Sequence, residues 1–175
     1  MNRYEQFRNL LKYVFTQEEI ESLILHLNTL GYFTAPASAK YHGAYKGGLF
    51  DHSIAVTKNL LALTGKLGLE WDRESSPYVV GLFHDLCKCD LYIRNEDRTY
   101  SYNNEVLLTG HGEKSVILTQ QFYNLTQEEI MCIRWHMGAY DDSKVWNNLN
   151  AAIKRYPNVL WTHTADMIAS QIQDI

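Results

Sequence analysis

Apolar positions along the chain recur mostly at intervals of three and four, the spacing that gathers side chains on one face of an α-helix. The pattern predicts an all-α protein. An opening helix is expected over residues 4–15. Thr16-Gln17-Glu18-Glu19 reads as a capping box, in which threonine and the glutamate three positions on satisfy each other's backbone N–H groups. It starts a second helix that Gly31 stops near residue 30. Residues 32–48, broken by Pro36, Gly43, Gly47 and Gly48, are expected to be irregular. A helix follows over 49–64. Ser76-Pro77 marks another start, serine as cap and proline at the first position, of a helix reaching about residue 88. The stretch 89–110 is long and polar for a connection, and is expected to be an active-site flap or small hairpin. Gly110 precedes a helix over 111–122. Thr126-Gln127-Glu128-Glu129 is a second capping box, its helix ending at His136 or Met137 before Gly138. Pro157 precedes a last helix over 158–171.

Length and composition narrow the class. At 175 residues the chain suits one domain, 1–175, large enough to bury a full core. Its 46% hydrophobic and 21% charged residues are those of a soluble globular protein. A net charge of −4 argues against a large sequence-independent nucleic-acid surface and leaves room for a small basic pocket. Cys87, Cys89 and Cys132, an odd and low count, point to a reducing compartment and no disulfides. The N-terminus has no apolar signal core, and no run reaches the roughly 18 apolar residues of a membrane span. The expectation is a cytoplasmic protein with no membrane partner.

The chemistry-bearing residues are His52, His84-Asp85, His111, His136 and Asp166. Imidazole and carboxylate bind divalent metals, and this set is enough for one ion, or for two with an aspartate between them. All fall in segments expected to be helical, mostly near helix ends, from which side chains can point into one cleft. Leu82, Phe83 and Leu86 surround the His-Asp pair with apolar packing that would fix rotamers and exclude water. On a continuous helix, Lys88 shares a face with His84 and Asp85, where it would hold a phosphate oxygen as a point charge. Gly47-Gly48 would let backbone pass close to the site or a ligand.

These residues also carry a resemblance. His52 within Tyr41-His42-Gly43-Ala44-Tyr45-Lys46-Gly47-Gly48-Leu49-Phe50-Asp51-His52-Ser53, then Gly81-Leu82-Phe83-His84-Asp85-Leu86-Cys87-Lys88, then Thr164-Ala165-Asp166, resemble the signature of the HD superfamily of metal-dependent phosphohydrolases. The resemblance covers residues 41–170, implying a compact HD-domain helical bundle with the helices of 1–40 packed on it. The added His111 and His136 resemble the superfamily's two-metal branch. What this implies is a first ion held by His52, His84, Asp85 and Asp166, and a second by Asp85, His111 and His136, with Asp85 bridging and Lys88 on a substrate phosphate. The ions would be Mn²⁺, Fe²⁺, Co²⁺, Ni²⁺ or Zn²⁺, all compatible with His/Asp coordination. The activity implied is hydrolysis, by activated water, of a phosphoester or phosphoanhydride in a small nucleotide-type substrate, with ester cleavage preferred. Two alternatives stay open: a nuclease or phosphodiesterase on short or cyclic oligonucleotides, and a non-catalytic HD ligand-binding module.

The remaining candidates carry plainer readings beside the functional ones. His42, Lys114 and Arg134 are candidate substrate contacts; otherwise they are a loop residue and a solvated helix face. His163, three residues before Asp166, is a candidate neighbour of the ligands, and His26 reads as structural. Cys87-Lys88-Cys89 lacks the partners of a zinc site and reads as core or near-surface thiols. Trp135, Trp161 and Tyr140 read as packing before they read as stacking on a base, and the 89–110 loop is the expected selector of substrate.

Overall fold

The computed structural model describes residues 2–175. Among them the order is α1 (Arg3–Leu11), α2 (Gln17–Leu30), α3 (Gly48–Leu67), α4 (Ser76–Phe83), β1 (Tyr92–Arg94), β2 (Tyr100–Tyr102), α5 (His111–Thr119), α6 (Gln127–Arg134), α7 (Trp146–Arg155) and α8 (Asn158–Met167). Short 3₁₀ turns cover Leu86–Cys89, Gly138–Tyr140 and Ser143–Val145, and a π-helical turn, Ile168–Ile172, extends α8. The architecture is a helical bundle with one small hairpin.

Both capping boxes form: Thr16 with Glu19 starts α2, and Thr126 with Glu129 starts α6. Helix α1 is shorter than expected. The Val14 and Phe15 N–H groups both turn back onto the Leu11 carbonyl, because Thr16 must be extended to cap α2. The hairpin occupies part of 89–110, pairing Tyr92 with Tyr102 and Arg94 with Tyr100.

Helix α4 corrects the expectation in two ways. Its cap position is Ser75, not Ser76; the Ser76 hydroxyl is drawn off to donate to Glu129 at 2.8 Å. The helix also ends at Phe83 rather than near residue 88. His84 closes it, and Asp85 leaves helical geometry at φ −110°, ψ 19°, before the 3₁₀ turn. The Tyr32 hydroxyl, buried, donates to the Leu82 carbonyl at 2.9 Å and satisfies one acceptor of that early end. Helix α7 lies outside the expected helices. Trp146, Leu149 and Ile153 do stand three and four apart in it, although only Leu149 and Ala152 are buried.

One apolar cluster joins the elements, from Phe7 and Leu11 of α1 through Phe50 of α3 and Phe83 of α4 to Val159 and Ala165 of α8. Helices α3 and α4 approach closely where Gly81 faces Thr57: a Cβ on Gly81 would sit 2.6 Å from the Thr57 Cα. That contact sets His84 of one helix beside His52 of the other.

Candidate metal centre

His52 lies in the second turn of α3, His84 and Asp85 at the broken end of α4, His111 at the start of α5, His136 just past α6, and Asp166 in α8. The structure brings all six together. His52, His84 and Asp85 offer ligand atoms within 4.8 Å of one another, as do His84, His136 and Asp166. A third such group is Asp85, His111 and Cys87.

The two Asp85 oxygens divide the histidines between them. Oδ2 lies 3.4 Å from His84 Nε2 and 3.6 Å from His52 Nε2, while Oδ1 lies 3.4 Å from His136 Nε2. His52 Nε2 is 3.1 Å from Asp166 Oδ1, without the alignment of a hydrogen bond. The carboxylate thus faces His84 and His52 with one oxygen and His136 with the other.

Three imidazoles are oriented through their other nitrogen. His84 Nδ1 donates to the Gly81 carbonyl at 2.9 Å, and His136 Nδ1 to the Ile133 carbonyl at 2.7 Å, each three residues back. His52 Nδ1 instead reaches across the fold to the Ile175 carbonyl at 2.7 Å. A proton committed to Nδ1 leaves Nε2 of the neutral ring with its lone pair facing inward.

Those inward atoms have no partner. His52 Nε2, His84 Nε2, His136 Nε2 and Asp85 Oδ1 are buried without a hydrogen bond. Buried polar atoms are nearly always satisfied, so four converging on one spot call for a cation. The donor set, imidazole and carboxylate, fits a divalent transition metal.

Electrostatics follow the same geometry. Burial alone would push the Asp85 carboxyl up, but Lys88 and the adjacent histidines outweigh it and hold it well below the usual range. Asp166 is likewise held low, against burial, by His52 and His84. Burial would lower His136, yet the Asp85 carboxylate raises it overall; His111 is lowered, chiefly by burial. Lys88 Nζ sits 2.6 Å from Asp85 Oδ2, reached from the 3₁₀ turn rather than the continuous helix the sequence predicts.

A cavity of about 480 Å³ opens onto the group, with Asp85, Lys88, His111 and Asp166 in its wall. His42 lines it too, its ring centroid 5.1 Å from that of His52. The other proposed contacts are placed elsewhere. Lys114, buried, pairs with Asp90 beside a neighbouring cavity. Arg134 is held between Glu113 at 2.6 Å and Asp141 at 2.9 Å and lies 4.0 Å from the centre of the Trp135 ring. Gly48, the first residue of α3, is needed where the chain passes over itself: a Cβ on it would overlap the Gly43 carbonyl oxygen at 1.9 Å. That tight fold is what carries His42 over His52.

One residue near the centre had little sequence signal, and a second, His163, was expected beside Asp166. Cys87 is a buried thiol, and its Sγ lies 2.9 Å from His111 Nδ1. Burial pushes it up to about 12, so without a cation it is a neutral thiol. Its only linear clue is its position two residues after Asp85. His163 lines the cavity and donates through Nδ1 to the His136 carbonyl at 2.7 Å.

Comparison with known proteins gives one informative relative. The dihydroneopterin 2′,3′-cyclic phosphate phosphodiesterase of Methanocaldococcus jannaschii is 30% identical over 149 residues, which is 81% of this chain and 53% of that protein. The chain thus spans about half the length of that curated relative. No protein-family model matches the chain, and no solved structure matches it.

Proposed function

We propose that this chain is a metal-dependent phosphohydrolase of the HD superfamily that hydrolyses a phosphodiester in a small nucleotide-type substrate. The observation that carries the reading is the set of orphaned buried atoms around Asp85, opening onto a cavity whose wall also holds the Lys88 ammonium. Similarity to a phosphodiesterase of a cyclic phosphate supports ester cleavage over anhydride cleavage, and a cyclic phosphodiester as the first substrate to try.

His52, His84, Asp85 and Asp166 would hold one ion; Asp85, His111 and His136 would hold a second, with Cys87 at its edge. Bound there, such ions supply Lewis acidity, polarising a phosphoryl oxygen and acidifying water. The chain's own groups do the rest. Lys88 neutralises charge on a non-bridging phosphate oxygen, and burial strengthens that attraction. Asp85 anchors the ammonium so that it meets the phosphate already oriented. His42, lowered chiefly by burial, is a neutral imidazole at the cavity wall, able to hydrogen-bond the substrate without adding charge.

The test is product release from cyclic nucleotides, linear diesters, dinucleoside polyphosphates and short oligonucleotides. Mn²⁺ and Co²⁺ are added separately, beside the folded Asp85→Asn variant. Turnover of a phosphodiester class that falls at least about 1,000-fold in the variant is expected, because the ions and Lys88 lose their shared anchor. Equal turnover by both proteins, or none from metal-loaded wild type, overturns the reading and leaves a ligand-binding module.

A further inference from the structure

The cavity over the metal centre has a rim that the chemistry of the centre does not explain. Among the described residues five tyrosines are strongly exposed, and three of them line this one cavity: Tyr41 at 83%, Tyr102 at 65% and Tyr140 at 69%. They come from three separate places: the irregular segment before α3, strand β2, and the 3₁₀ turn after α6. Exposed aromatic rings converging from unrelated elements do not arise from core packing, since none is buried by the fold. Tyr102 lies against Tyr92, ring centroids 5.3 Å apart, and all three keep most of their surface open to solvent at the mouth.

A second cavity, of about 580 Å³, continues from the first; the two share Tyr41, His42, Ser170 and Gln171 in their walls. A substrate whose phosphate lies over Asp85 and Lys88 therefore has an adjoining space for its organic part. Gln171 is exposed, and its side-chain amide offers both a donor and an acceptor to a ring edge.

Resting on the phosphohydrolase reading above, we infer that Tyr41, Tyr102 and Tyr140 form a stacking rim that selects substrates carrying a planar heteroaromatic ring, with Gln171 reading the ring's polar edge. The rim binds the organic group and takes no part in bond cleavage. Stacking tolerates any flat ring, so selectivity among rings falls to Gln171.

The experiment compares Mn²⁺-loaded wild type with Tyr41→Ala, Tyr102→Ala, Tyr140→Ala and the matching phenylalanine variants. One substrate carries a ring, adenosine 2′,3′-cyclic phosphate; the other does not, glycerol 1,2-cyclic phosphate. In parallel, calorimetry measures adenosine monophosphate and inorganic phosphate binding. Each alanine variant should lower the preference for the ring-bearing diester by about tenfold, mainly through KM, and weaken adenosine monophosphate binding similarly. Phenylalanine variants should stay within about threefold, since they keep the π-face. A preference unchanged in the alanine variants, a parallel loss on both diesters, or wild type binding adenosine monophosphate no tighter than phosphate overturns the inference. Tyrosine-dependent binding without turnover of either diester upholds the rim and overturns the phosphohydrolase reading.

Discussion

A single carboxylate organises the centre. Asp85 meets His52, His84, His136 and Lys88, and it does so because the chain abandons the helix at that residue. Its titration has a readable direction. Asp85 and Asp166 are held below the ordinary 3.8 in the folded chain, so their contribution to stability is complete above that value and is lost as pH falls through their lower folded values. His136 is raised above 6.5, so its contribution is complete below 6.5 and is lost as pH rises through its folded value. A cation needs the same imidazole neutral, so affinity moves the other way. His111 and His42 are lowered and act in the opposite sense, so the contribution of His136 is read as a difference: the stability that metal-free wild type holds over His136→Gln should shrink as pH rises above 6.5, while Mn²⁺ affinity climbs and calorimetry in buffers of different ionisation enthalpy records proton release. A difference between the two proteins that stays constant with pH would disprove the assignment.

At the scale of elements, the helix junctions matter more than the helices. Helix α4 and α3 touch through Gly81, with no room for a methyl group between it and Thr57. Gly81→Ala should destabilise the fold by about 1–3 kcal/mol through overpacking, read by denaturant unfolding, and should weaken Mn²⁺ binding because His84 shifts against His52. The π-helical turn after α8 has a comparable task. Its end is tied to α3 by reciprocal hydrogen bonds of 3.1 Å between Asn59 and Gln173, and just beyond it the Ile175 carbonyl receives His52 Nδ1. Removing residues 173–175 should cost about 10–100-fold in metal affinity with far-UV circular dichroism unchanged. Unaltered affinity would mean that packing alone orients His52. The hydrophobic pattern reads α2, α3 and α6 well because each has a broad apolar face or a capping box. It overextends α4, since a continuous apolar run cannot reveal where φ and ψ depart from the helix.

For the whole molecule, the centre is where elements from most of the chain meet, and a cation there would tie α3, α4, α5, α6 and α8 together. Saturating Mn²⁺ at about 100 times Kd should stabilise the fold by about 2.7 kcal/mol, a rise in Tm of roughly 5–10 °C that a chelator reverses. No rise would argue against a resident ion. The sequence by itself determined the helical class, through its three-and-four spacing, and singled out the six residues that converge, because imidazole and carboxylate are the side chains that hold divalent cations. Only the tertiary structure decided that His84 and Asp85 sit past the helix end, that Cys87 joins His111, and that Arg134 and Lys114 are engaged by nearby carboxylates. It also decided that three distant tyrosines share one cavity mouth. Those are relations between residues far apart in the chain, set by close helix contacts and ion pairing, and no local pattern encodes a distance across the fold.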